Sequence, residues 1–169
     1  MATLDKKDRI ILINQYKILA ALDTEDRSHY KELIDILENG YSIFYSMIDQ
    51  WVGDDMPVEE GRFVLDVLDL YRAIEDLKRS TKDSLITSHS YATFRGFDGN
   101  NETEYMGFCR FLIETQGKFQ EQKSYLLKND NFNSHMPMIP KYSRMLRKRA
   151  ELNVEFSLTP QEAIQILDA

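Results

Sequence analysis

The sequence predicts an all-α protein of about seven helices, an N-terminal helical hairpin followed by a larger helical body. Three observations predict it. Apolar residues recur at helical spacing in segment after segment, only four prolines and seven glycines interrupt 169 residues, and β-branched alternation is scarce. The turn-forming stretch "GDDMP" divides the hairpin region, residues 1–53, from the body, residues 54–169, or joins them in one continuous domain.

The elements follow in order. Leu12, Tyr16 and Leu19 share a face of a first helix that ends near "ALD". Tyr30, Leu33, Ile34 and Leu37 obey the i, i+3, i+4, i+7 rule in a second, and "ENGY" stops it. There Gly40 suits the left-handed C′ position, with Tyr41 folding back onto Ile36. Phe44, Met47, Ile48 and Trp51 mark a third helix. Pro57 fits the first position of a long fourth helix, and Glu59 and Glu60 complement its dipole. That helix turns Phe63, Val67, Leu70, Tyr71, Ile74 and Leu77 inward. Residues 79–101, rich in Ser and Thr, carry no helical stripe, and "SYATF" within them reads as a short strand-like stretch. A fifth helix carries Tyr105, Phe108, Cys109 and Leu112, weakened towards Gly117. After the loop "LKNDNFNSHMPMIP" comes a sixth with Met138, Tyr142 and Met145. The last has the clearest start, with Thr159 at the N-cap, Pro160 at N1, Glu162 at N3 and a Leu158–Ala163 staple.

Composition narrows the function classes. A net charge of −7 opposes general affinity for nucleic acid or anionic membrane, which rests on neutralising phosphates. The single cysteine, Cys109, offers no intramolecular disulfide partner, as suits a reducing compartment. The opening "MATLDKKDRIILI" meets Asn14 too soon for a signal peptide, and nothing approaches the roughly 18 apolar residues of a membrane span. The expectation is a cytoplasmic protein without a membrane partner.

"GFDGNNETE" is the stretch closest to a chemical motif. Counted from Asp98, Asn100 and Glu102 match EF-hand positions 3 and 5, but Thr103 stands where glycine is required and Cys109 where the bidentate glutamate belongs. Gly96 and Gly99 spell the nucleic-acid-clamping G-x-x-G, yet the intervening Asp98 would repel phosphate. A helix start explains more of the residues, with Asp98-Gly99 as a turn, Asn101 as cap and Glu104 reaching back. His29, His89 and His135 are scattered without a second ligand at i+4, so no metal or other cofactor is expected. Cys109 lies on an apolar stripe and reads as core. Lys141, Arg144, Arg147 and Lys148 fall opposite the Met138–Tyr142–Met145 stripe and form a basic face, read as solvated and paired with the protein's own acids. Asn14 and Gln15 interrupt the apolar "ILINQYKIL"; either one, if buried, must be hydrogen-bonded and would fix packing register rather than do chemistry.

Taken together, "NQYKIL" with "LD" (14–23), "ENGY" (38–41), "LDLYRAI" (68–74), "TFRGFDGNNETEYMGFCRF" (93–111), "FNSHMPMIPKYSRML" (132–146) and "LTPQEAIQILDA" (158–169) resemble the YfbU family of bacterial proteins. The resemblance implies an all-α fold with a small N-terminal hairpin and a larger helical body. It brings no known reaction, cofactor or catalytic residue. It does direct attention to two loops, "TFRGFDGN" and "FNSHMP", whose Arg95, Asp98 and His135, with His89 nearby, suit binding better than catalysis, since no nucleophile–base pair is visible by spacing. The expected function is that of a non-enzymatic interaction or regulatory protein. Its partners are itself, as an even-numbered homo-oligomer held by a face including Phe44, Met47 and Trp51, and an unknown protein. The alternative is a nucleic-acid-associated regulator using the basic helix around Lys141–Arg149.

Overall fold

In the computed structural model, which describes residues 3–169, regular structure is helical throughout, and contacts divide the chain into two units, the first ending at Asp55 and the second beginning at Met56. Among the described residues no helix is long and apolar enough to cross a membrane.

The first unit is built on a hairpin of α1 (Lys6–Leu22) and α2 (Arg27–Asn39). Asp5 and Asp8 start α1 with a reciprocal capping box, at 2.8 and 3.0 Å. Arg27 Nε donates to Ala20 O at 2.9 Å and satisfies a carbonyl at its far end. Gly40 ends α2 at φ +72°, and its N–H and that of Tyr41 both donate to Ile36 O, the Schellman-like ending the sequence implies. Leu33, Ile36, Leu37 and Tyr45 form the core, with Leu12, Ile13 and Tyr16 of α1 packed against it. The third helix is shorter than its stripe suggests. A 3-10 turn at Ser42–Phe44 leads into the single turn of α3 (Ser46–Asp49), and Trp51 lies beyond it. Tyr45 is the residue buried here, and its insertion takes the register away from Phe44, which stays exposed.

The second unit wraps around α4 (Val58–Thr81), in which Val64, Val67, Leu68, Leu70, Tyr71 and Ile74 are all buried. The loop expected at 79–101 is shorter, because α4 continues to Thr81 and a one-turn α5 (Ser84–Thr87) is capped by Asp83. "SYATF" forms no strand; Ala92 and Phe94 are buried within irregular chain. The fifth helix is interrupted: α6 (Thr103–Arg110) widens into a π-helical turn at Phe111–Thr115 and stops. Then α7 (Gln120–Lys128) begins after Gly117, at φ +67°, and Phe119, at φ +52°. Finally α8 (Ile139–Glu151) carries buried Tyr142 and Met145, and α9 (Pro160–Asp168) starts with the Thr159–Glu162 capping box.

Candidate functional site

The two loops singled out by the sequence are fastened to each other. Phe97 N–H donates to Phe132 O at 3.1 Å and Ser134 N–H to Phe97 O at 3.0 Å, an isolated parallel bridge between Phe97 and Asn133. Asn133 Oδ1 accepts from Gly99 N–H at 2.9 Å, while Asn129 Nδ2 donates to the Arg95 and Asn133 carbonyls, both at 3.1 Å. The approach requires Gly96. Its φ is +84°, and a Cβ there would stand 2.1 Å from Phe132 O. Beneath the bridge, Tyr71, Phe94, Phe97 and Tyr142 pack with ring centroids 5.2 to 5.8 Å apart. The Tyr142 hydroxyl donates to Gly96 O at 3.0 Å, and burial pushes its pKa well up, so it stays protonated.

Two buried carboxylates complete the clasp. Glu102, which the calcium-loop count placed at position 5, is turned inward and 3% exposed. Its Oε1 accepts the N–H groups of Met138 and Ile139, both at 2.8 Å, and its Oε2 that of Asp98 at 2.9 Å. A side chain of α6's N-terminal edge thus caps the start of α8, where no local side chain does. Asp98 accepts from Asn100 N–H at 3.2 Å and from the Asn101 side-chain amide, so Asn101 braces the turn rather than capping the helix. The Asp98 and Glu102 oxygens that a calcium loop would offer to a cation are therefore turned to N–H donors of the chain itself.

The other candidates are placed apart. His89 Nε2 lies 3.1 Å from Asp168 Oδ1 and its Nδ1 accepts from Tyr91 N–H, whereas His135, exposed at φ +55°, lies 3.2 Å from Asp130 Oδ2. Arg95 spreads over the Tyr91 ring at 5.0 Å and donates to Ser90 O at 2.8 Å. Among the described residues no three His, Cys, Asp or Glu side chains converge as a metal centre would need. Cys109 is fully buried and its thiol is pushed far above the ordinary range by burial, which suppresses thiolate chemistry.

The basic helix differs from its reading as one exposed face. Lys141 is buried: its Nζ donates to Leu167 O at 2.7 Å and sits 4.3 Å from the centre of the Tyr91 ring. Burial lowers its pKa, with Arg144 adding to the effect and Asp168 opposing it. Arg144 donates to Ala169 O at 2.9 Å and Lys148 to Glu151 at 2.6 Å. Arg147 remains exposed. Lys141 thus departs from the exposed face expected of it: three residues on from Met138 it flanks the apolar stripe, and α9 covers it there.

The least covered apolar surface lies on the first unit. Ile43 and Trp51 are 72% and 82% exposed, Phe44 is exposed and Met47 half-buried. Beside them Tyr16, His29, Tyr30, Met47, Ile48 and Trp51 line a cleft of about 440 Å³. Sequence reasoning missed the inward turn of Glu102 and the pairing of Asn129 and Asn133 with the first loop. The density of Asn and Asp in "KNDNFN", residues able to adopt left-handed backbone and bond neighbouring amides, was the available signal.

Comparison with known proteins gives one family and a close relative. A family model described as the YfbU domain matches residues 2–169. The chain is also similar to the UPF0304 protein MJECS11 of Methanocaldococcus jannaschii, 46% identical over 169 residues that span 98% of this chain and 99% of the relative. That organism is an archaeon, so the likeness extends beyond the bacteria that the sequence resemblance suggested.

Proposed function

Because the chain belongs to the YfbU family over residues 2–169, we propose that it serves as a non-enzymatic interaction or regulatory protein working as a homo-oligomer. The observation that carries this reading is the apolar surface of the first unit, where Ile43, Phe44, Trp51 and Val52 stand exposed within ten residues of chain. Soluble proteins cover such clusters with a partner, and a two-fold contact with another copy is the commonest solution. The clasp supports the same reading from the other direction. Its carboxylates are taken up by backbone N–H groups and the Asn101 side-chain amide, and its histidines are held by separate acids, so the loops hold the second unit together instead of presenting acid–base groups to a substrate.

Nucleic-acid association through α8 receives less support, since Lys141, Arg144 and Lys148 are engaged by acceptors of the chain itself. Sedimentation equilibrium at micromolar concentration tests the proposal, with Phe44→Glu as the probe. A dimer or higher even-numbered oligomer is expected, with a lower mass for the variant. A single-chain mass for the wild type at every concentration overturns it.

A further inference from the structure

Helix α1 is apolar in a way its own hairpin does not use. None of its residues is buried, although it runs Lys6–Leu22. The side facing α2 carries Leu12, Ile13 and Tyr16, which pack on the small core, and Arg9, which donates to Leu37 O at 3.1 Å. At about 100° per residue, Ile11, Ile18 and Leu22 fall on the opposite side. All three are exposed, Leu22 at 77%. With Gln15 they are spaced four, three and four residues apart, the alternating heptad spacing of a helix that pairs with another helix along a seam. One polar residue in such a seam fixes register at a cost in stability. Gln15 has that place, and it is exposed in the single chain.

Charge selects the occupant and its direction. Lys6 and Lys7 begin α1 between Asp5 and Asp8, whose carboxylates are taken up by each other's N–H groups in the capping box, whereas no basic residue occupies its last turn, and Asp23, Glu25 and Asp26 follow at the end where the helix dipole is already negative. A parallel copy would bring these acids against their own counterparts. An antiparallel copy brings the lysines to them. We infer that α1 pairs antiparallel with α1 of a second copy, with Ile11 against Leu22 of the other chain and Gln15 against Ile18, so that the two-fold axis crosses between Gln15 and Ile18. In this register the two Gln15 side chains lie about 4.5 Å apart along the axis and can hydrogen-bond each other. Trp51 shares its cleft with Tyr16, on the α2-facing side, so this seam is distinct from the Phe44–Trp51 surface. The inference rests on the proposed self-association and names a second contact for it, which makes closed even-numbered assemblies the natural result.

Single cysteines read the geometry directly, because the natural Cys109 is buried in the second unit. Chains carrying Ile11→Cys and Leu22→Cys are mixed, allowed to exchange subunits and oxidised with diamide, which takes up the two thiol hydrogens as the disulfide forms. The substituted positions are exposed, and circular dichroism checks that each variant folds. The mixture is expected to yield a covalent dimer joining position 11 of one chain to position 22 of the other, at least ten-fold above either variant alone. Position 11 meets its own copy only at about 16 Å in this register, well beyond disulfide reach. The mixed product should persist in a Phe44→Glu background. Dimers from either single variant alone mean a parallel pair and overturn the register. An oligomer by sedimentation with no cross-link in the mixture overturns the seam while leaving self-association standing, and a monomeric wild type removes both.

Discussion

Replacing Glu102 by Gln removes one charge and one acceptor from the junction between α6 and α8, with almost no change in volume. The carboxylate accepts three backbone N–H groups, from Asp98 at 2.9 Å and from Met138 and Ile139 at 2.8 Å, inside a site only 3% exposed. Glutamine keeps one acceptor oxygen and presents an amide donor in place of the other. If the oxygen stays with Met138 and Ile139, the Asp98 N–H faces a donor and loses its partner, at about 1–3 kcal/mol. The two surviving bonds lose their charge assistance, which roughly halves their strength. The sum is about 3 kcal/mol, or a fall of roughly 6–12 °C in Tm for a chain of this size. Urea unfolding followed by far-ultraviolet circular dichroism measures it, with an unchanged slope showing that stability alone has moved. Glu104→Gln serves as control, since Glu104 is exposed and accepts from the neighbouring Thr103 hydroxyl at 3.1 Å. A Glu102→Gln cost below about 0.5 kcal/mol, the range of ordinary surface changes, would refute the idea that this carboxylate holds α8 in place.

Two further outcomes follow from the second unit. Gly96→Ala should cost more than about 3 kcal/mol or prevent folding, because its Cβ would meet the Phe132 carbonyl oxygen at 2.1 Å. Gly117→Ala, at φ +67° with nothing within 4 Å, should cost only about 1–2 kcal/mol; equal losses in urea melts would discount the close approach. Lys141 has a pKa lowered in the folded state by burial, so the unfolded chain binds more protons between that lowered value and about 10.4. Stability from this group therefore rises with pH across that window, and Lys141→Met should flatten the rise. Parallel stability–pH curves for the two proteins would contradict it.

The helices were legible where one face is buried and both ends carry local signals. Thr159, Pro160 and Glu162 announce α9 within four residues, and Gly40 ends α2 by a conformation that the sequence specifies on its own. The third helix misled because its stripe was apolar without being inward; whether Phe44 or Tyr45 enters the core depends on the space left between α1 and α2. Similarly, Gly117 marked the weak point of the fifth helix, but the π-helical turn before it answers to the packing of Leu112 and Ile113. The clasp was half legible. Its residues stood out by type, yet their partners lie in a different segment, and no local period records such a pairing. Lys141 shows the same limit, since a lysine beside an apolar stripe reads as exposed until another helix covers it.

The sequence distance spanned by the clasp sets an order of assembly. Its bonds join residues 34 to 37 positions apart, from Gly99 and Glu102 to Asn133, Met138 and Ile139. A chain growing from its N-terminus therefore exposes α4 and α6 to the solvent while the groups that will lock them are still unmade. The α1–α2 hairpin faces no such delay, since a short turn joins its helices and its core needs only nearby residues. A half-synthesised molecule thus holds every residue of the first unit's core while the second still lacks the partners that close it. If that first unit can already recognise its like, neighbouring chains on one messenger could associate before either is complete, making pairing an early event in the life of the protein.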